Sequence, residues 1–384
     1  MPMVKKFFQS LGSHIFEYLK TTDKVLLLMA VAASTLSCLL IYSLYPEAIT
    51  SFSPLITQIG ASLVGLAIAI FLSVLDYQAL AKMWKIYAPA AVGLCLLVFT
   101  PLGQMRGGTG MGSDDMNWLN LGFITIQPSE FLKVAFILTF SLHCYTVHKE
   151  INKPRNLLFL LLHAAIPIGI IAIQGDFGTM LIFLCIFVSI LFAAGINWKV
   201  VLGGIGVAIV GGTLFWTFMM PSYLKERFTA VYNLDATKLG AGLQQYQGRI
   251  TLGSGQMFGK GFSSDNLLTS TPELYNDMMF AHIGQVLGFV GCFAVAAWLA
   301  IMSIRILQNA YRAQDRLGMY ICVGVFAVIF FQSLINIGMV LCVFPVVGVT
   351  LPLFSAGGSS VLSTYMCLGL AICVHNNTAR NHMF

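Results

Sequence analysis

The feature that most limits what this chain can fold into is a succession of long apolar runs separated by short polar stretches. An α-helix needs about 20 apolar residues to cross roughly 30 Å of hydrocarbon. Runs of that length lie near residues 25–45, 54–75, 83–101, 127–147, 156–173, 177–195, 199–220, 278–304, 317–342 and 351–374. They are continuous and lack the alternating polarity of barrel strands. The expected fold class is therefore all-α, a polytopic membrane bundle of about ten helices. The boundary around Gln174 to Gly178 is soft, because two runs nearly touch there.

Composition sharpens this reading. Only 9% of the 384 residues are charged and 58% are hydrophobic, against roughly 25% charged in soluble domains. The nine cysteines show no CxxC spacing and sit almost entirely in apolar runs. That gives no support to a disulfide or zinc framework. No Lys- or Arg-rich block offers a surface for nucleic acid, so no nucleic-acid partner is expected. Residues 1–24 are too polar to span and end in no cleavage pattern, and read as an interfacial segment. Residues 25–374 are then the membrane domain and 375–384 a tail.

The basic residues orient the bundle. With the N-terminus in the cytoplasm, 14 of the 21 Lys and Arg residues fall on the cytoplasmic side, six on the outer side, and Lys133 within a span. This satisfies the positive-inside rule and puts both termini in the cytoplasm. The connection 221–277 is far longer than an ordinary loop. A second outer loop, 102–126, carries Arg106, Asp114, Asp115 and Trp118. Chemistry is expected where these two loops meet the bundle.

Several residues carry a functional reading beside a structural one. Ser355, Gly357, Gly358 and Ser359 open the last span after a Pro/Gly-rich turn. Free backbone N–H groups and hydroxyls there suit an anion, although close helix packing is the commoner reason for such residues. Asp277, at the end of the long loop, suits either a helix N-cap or a general base. Glu130 and Lys133 are spaced to meet on one helix face, as a structural ion pair or as the lining of a cavity. Arg249 and Lys260 bring positive charge to the long loop, among Gly253, Gly255, Gly259 and Gly261. Asp176 fits a turn cap, and Trp118 an interfacial anchor.

Five stretches, in order along the chain, resemble the SEDS (shape, elongation, division and sporulation) family of membrane proteins, typified by RodA and FtsW. They are Trp118 to Gly122 with Gln127-Pro128-Ser129-Glu130 and Lys133; Gln174 to Thr179; Gln247 to Gly261; Asn276 to Ala281 with Gly288 and Gly291; and Asn336 to Ser360. The resemblance implies a peptidoglycan glycosyltransferase of the cell inner membrane. Such an enzyme joins lipid II to a growing lipid-linked glycan strand, among membrane lipids and beside a class B penicillin-binding protein. It implies that Asp277 is the catalytic base, with Glu130 and Lys133 in a central cavity and Trp118 able to cover a sugar. The transfer would be inverting. Arg249, Lys260 or a divalent cation (Mg or Mn) would assist the departing diphosphate. Lys238 to Gly242 sides with RodA and hence elongation.

The chain departs from the family pattern at Gln285 and Val286, where paired acidic residues are common, and at Met116 and Asn117, where paired basic residues are common. A flippase for lipid-linked precursors, or a non-catalytic scaffold for a penicillin-binding protein, are the alternative functions.

Overall fold

The computed structural model of the protein describes residues 21–45, 49, 51–105, 116–122, 124–262 and 266–381. Residues 1–20 of the expected interfacial segment, and Arg106, Asp114 and Asp115, lie outside the described residues. The chain runs through α1 (Lys24–Tyr42), α2 (Ser53–Val74), the short α3 (Tyr77–Lys82) and α4 (Trp84–Leu97). After a small sheet come α5 (Pro128–Val147), α6 (Pro154–Ile173), α7 (Phe177–Ala193) and α8 (Trp198–Leu214). The long connection holds α9 (Ser222–Ala230), α10 (Leu234–Thr237) and α11 (Leu243–Ser254). Helices α12 (Met279–Arg312), α13 (Arg316–Val340) and α14 (Gly358–Asn381) complete the chain.

Among the described residues, eight helices are long and apolar enough to cross a membrane, and α4 and α7 are shorter apolar helices at two further expected spans. The protein is a multi-pass, all-α membrane protein. Local chemistry sets the helix starts. Asp23, Asp176, Asn197 and Asp315 each accept a hydrogen bond from a first-turn backbone N–H, satisfying donors that a helix start leaves open. Pro54, Pro128 and Pro154 stand in first turns, where no N–H is needed. The core lies among α5, α13 and α14, which are the most buried spans, whereas α8 stands clear of the bundle.

Three features differ from the sequence expectation. The loop 102–126 contains a small antiparallel sheet of β1 (Gly103–Met105), β2 (Met116–Asn120) and β3 (Thr125–Ile126), in that order. The eighth span is broken at Gly288, whose φ of 70° and ψ of −168° leave the helical region. The last helix begins at Gly358 rather than near 351, and it continues through most of the expected tail to Asn381. Residues Val343–Gly357 are therefore buried or half-buried irregular chain for most of their length. Such backbone is tolerated inside a bundle only if side chains satisfy it. Asn336 Nδ2 donates to Val349 O (2.6 Å), Gln332 Nε2 to Thr350 O (3.1 Å), and Ser37 Oγ to Phe354 O (2.5 Å).

Candidate functional site

The site is built where this irregular segment meets the end of the long connection. Asp277 is half-buried immediately before α12. The cap position of α12 is Met278, one residue further on, and its side chain makes no cap bond. Asn336 Nδ2 holds the backbone carbonyl of Asp277 at 2.8 Å. The preceding Asn276 is fixed by Glu273 through its side chain and by Ser355, whose Oγ donates to Asn276 O at 2.6 Å. Ala356 N donates to Tyr275 O at 2.8 Å. The Asp277 carboxylate faces the 346–348 turn, with Oδ2 lying 3.7 Å from where a Cβ on Gly348 would stand. Arg227, from α9, reaches the same turn, its guanidinium 3.5 Å from Val346 O.

The other motifs converge on this end of the bundle. Gly178 lies so close to the turn that a Cβ there would stand 2.1 Å from Val347 O, which is why no larger residue fits. Asp176 caps α7 through Thr179 N (2.9 Å) and also accepts from Asn117 Nδ2 (3.2 Å) and Gln127 Nε2 (2.9 Å). Burial pushes its carboxyl up, against the hydrogen bonds from Thr179 and Asn117 that favour the charged form. With both oxygens bonded, its turn-cap reading stands. Gln127 N donates to Ser359 Oγ at 3.0 Å, which joins the start of α5 to the start of α14. Trp118 sits half-buried in β2, opposite Gln104.

Glu130 and Lys133 are brought together as a buried ion pair, 2.9 Å apart, with side chains 5% and 2% exposed. Ser363 donates to Glu130, and Lys133 reaches Gln332 Oε1 at 3.4 Å. Gln332 in turn donates to Thr350 Oγ1 (3.0 Å), which bonds Ser360 Oγ (2.7 Å). The pair is therefore the root of a polar chain through α5, α13, the irregular segment and α14. Paired and bonded charges of this kind are the tolerable form of charge at membrane depth.

Other sequence candidates take structural positions. Ser355 is spent on Asn276 O and Leu351 N. Gly357 lies 3.5 Å, as an imagined Cβ, from Ser360, and Gly358 lies 3.2 Å from Thr57, so both lie in close quarters beside packed side chains. Lys260 Nζ donates to Asn266 O at 2.8 Å. Arg249 is exposed on α11. Two of the loop glycines press on α12, since a Cβ on Gly255 would lie 1.9 Å from Gly284 O and one on Gly259 2.1 Å from Val286 O, whereas Gly253 and Gly261 have open space there.

The departures also find partners. Gln285 accepts from Leu268 N (2.8 Å) and donates to Leu268 O (3.4 Å), a two-way clamp that no carboxylate can make. Arg227 was missed by sequence reading; its only signal was a basic residue in the long connection. Among the described residues no group of three His, Cys, Asp or Glu side chains is placed to hold a metal. The residues present do not form a protein cage for the divalent cation considered above.

Comparison with known proteins agrees with this geometry. The family model of FtsW, RodA and SpoVE, described as cell cycle protein, matches residues 23–380. The peptidoglycan glycosyltransferase MrdB of Escherichia coli K12 is 29% identical over 92% of this chain and 94% of its own length. Stage V sporulation protein E of Bacillus subtilis is 30% identical over 81% and 84%. A solved chain described under structural coordination of polymerization and crosslinking by a peptidoglycan synthase complex superposes with a TM-score of 0.78 at 24% identity, covering 93% of this chain and 98% of that one. The rod shape determining protein RodA of Thermus thermophilus gives 0.69 at 22% identity, over 93% and 97%. With its motifs meeting at one end of the bundle and the family pattern spanning nearly its whole length, the chain belongs to the FtsW, RodA and SpoVE family of cell cycle proteins.

Proposed function

We propose that this peptidoglycan glycosyltransferase polymerises lipid II with Asp277 as its general base. The observation that carries the reading is the position of Asp277. It is the carboxylate around which the ordered motifs gather, it is partly open to solvent, and it stands one residue before the cap position of α12. In the transfer, Asp277 takes the proton of a sugar hydroxyl on an incoming lipid II, and the oxygen attacks the anomeric carbon of the growing strand with inversion. The polyprenyl diphosphate leaves with the bonding electrons. Proton removal by a positioned base supplies typically 10²–10⁴-fold in rate.

Arg227 reaches this carboxylate's turn through Val346 O. Arg227, at the turn beside Asp277, and Arg249, exposed on α11, are the side chains proposed to meet the diphosphate. No step is assigned to a divalent ion. Membership of the family, together with a solved relative described in a synthase complex, supports a class B penicillin-binding protein as partner. The distribution of basic residues supports placement in the inner membrane with the Asp277 end facing out and both termini in the cytoplasm. The Glu130–Lys133 pair is buried and bonded by Ser363 and Gln332, which supports a structural ion pair over the pathway that a flippase would need.

The test is glycan synthesis from lipid II by the purified protein in detergent, with its penicillin-binding partner present. Asp277→Asn is expected to lower the rate about 10²–10⁴-fold while its thermal unfolding stays that of the parent. Full polymerisation by the folded variant would remove Asp277 from the mechanism.

A further inference from the structure

Toward the opposite end of the bundle, a cavity of about 670 Å³ lies between α4, α5 and α6. Its wall is apolar except at Thr139, His143, Thr146 and His163. Phe159, Leu162 and Ile166 line it from α6 and are all largely exposed on the flank of the bundle. The mouth therefore opens sideways, toward the acyl region of a surrounding membrane. His143 stands about one turn inside the end of α5, four residues before Val147.

The histidines form a relay. Thr139 Oγ1 lies 3.1 Å from His163 Nε2, and His163 Nδ1 lies 3.1 Å from His143 Nδ1. Each contact needs one proton, so the tautomers are linked. The Thr139 hydroxyl donates to Phe136 O at 3.3 Å; it then accepts from His163 Nε2–H, His163 Nδ1 accepts from His143 Nδ1–H, and His143 Nε2 is left without a proton. That nitrogen makes no hydrogen bond to any described residue. Around the mouth, Lys82, Lys85, Lys149 and Arg155 stand exposed at the adjoining ends of α3, α4, α5 and α6. The Arg155 guanidinium lies 5.9 Å above the ring of Phe159 at the cavity wall. Of the nearby carboxylates, Glu150 is paired with Lys153 at 2.6 Å and Asp76 caps α3. The rim is left positive.

We propose that this cavity is a binding site for one acyl chain of an anionic glycerophospholipid. The acyl chain fills the apolar cavity and the headgroup meets the basic rim, where each Lys or Arg attracts anionic lipid. The site is distinct from Asp277 and does not rest on the proposed transfer reaction.

The experiment uses the full chain in phosphatidylcholine vesicles doped with a phosphatidylglycerol analogue bearing a diazirine on one acyl chain. Labelled residues are mapped by peptide mass spectrometry. Label is expected to concentrate on α4, α5 and α6 relative to α2, whose Leu63 and Phe71 are equally open to lipid. Ala88→Trp is expected to block it. Should Ala88→Trp fail to fold, Ile166→Trp closes the mouth from an exposed position. Even labelling of all exposed helices, or labelling unchanged in a folded blocking variant, would overturn the site. Equal labelling by the phosphatidylcholine analogue would overturn its preference for anionic lipid.

Discussion

Lys133 is 2% exposed in the middle of the bundle, and its ammonium is held by Glu130 and Gln332. The i,i+3 spacing made the pairing legible in sequence, but whether the pair faced a cavity or the packed core depended on α13 and α14. Removing one partner of a buried pair typically costs 3–5 kcal/mol, because the other charge is left uncompensated. Lys133→Met is thus expected to lower the melting temperature sharply in detergent, and Glu130→Gln added to it to recover part of the loss. A single variant that melts with the parent would show that the pair holds nothing together. For Asp277 the residues alone favoured an N-cap, and the resemblance favoured a base. The cap fell at Met278 instead, one residue on, which sequence spacing does not resolve.

At the scale of elements, the eighth span and the segment before the last helix are where pattern reading stopped short. Hydropathy sees Met279–Arg312 as one apolar run, yet the backbone turns over at Gly288. The loop Gln256–Gly261 splints the break. Lys260 N and Gly261 N donate to the open carbonyls of Gln285 and Val286, while Phe289 N and Val290 N donate to Gln256 and Met257. A glycine is required because a Cβ at Gly288 would sit 2.4–2.5 Å from the Met257–Gly259 backbone and because φ is positive. Gly288→Ala is expected to destabilise the protein by about 1–3 kcal/mol from strain alone, read by thermal unfolding. Gly204→Ala, with nothing within 4 Å, serves as the neutral control. Equal stability of the two variants would mean that the break carries no constraint. The glycine motif was readable as a motif; its role as a splint was not, since its partner is a distant backbone.

Across the whole molecule, the two ends of the bundle are tied differently. At the end opposite Asp277, Asp23 before α1 accepts from Arg305 Nε (2.9 Å) and Asn309 Nδ2 (2.9 Å) on α12, and Asn309 also meets His375 on α14. Burial raises the Asp23 carboxyl, but the bonds from Arg305, Asn309 and Leu26 outweigh it and hold the group below its ordinary value of 3.8. A lowered folded value means that the unfolded chain binds the proton first. The contribution is present above that ordinary value and fades as pH falls through the folded one. Stability is expected to drop on acidification below about pH 4, and Asp23→Asn to flatten that limb in a pH series of melting curves. An unchanged acid limb would refute the role. The sequence by itself determined the membrane bundle, the approximate spans and the motifs, because apolar length and spacing are local properties that hydrocarbon thickness converts directly into helices. Only the tertiary structure decided which groups at Asp277 are turned toward a neighbour and which are consumed by one. Hydrogen bonds from Asn336, Ser355 and Gln285 join residues far apart in the chain, and no local pattern records where a distant backbone will need a partner.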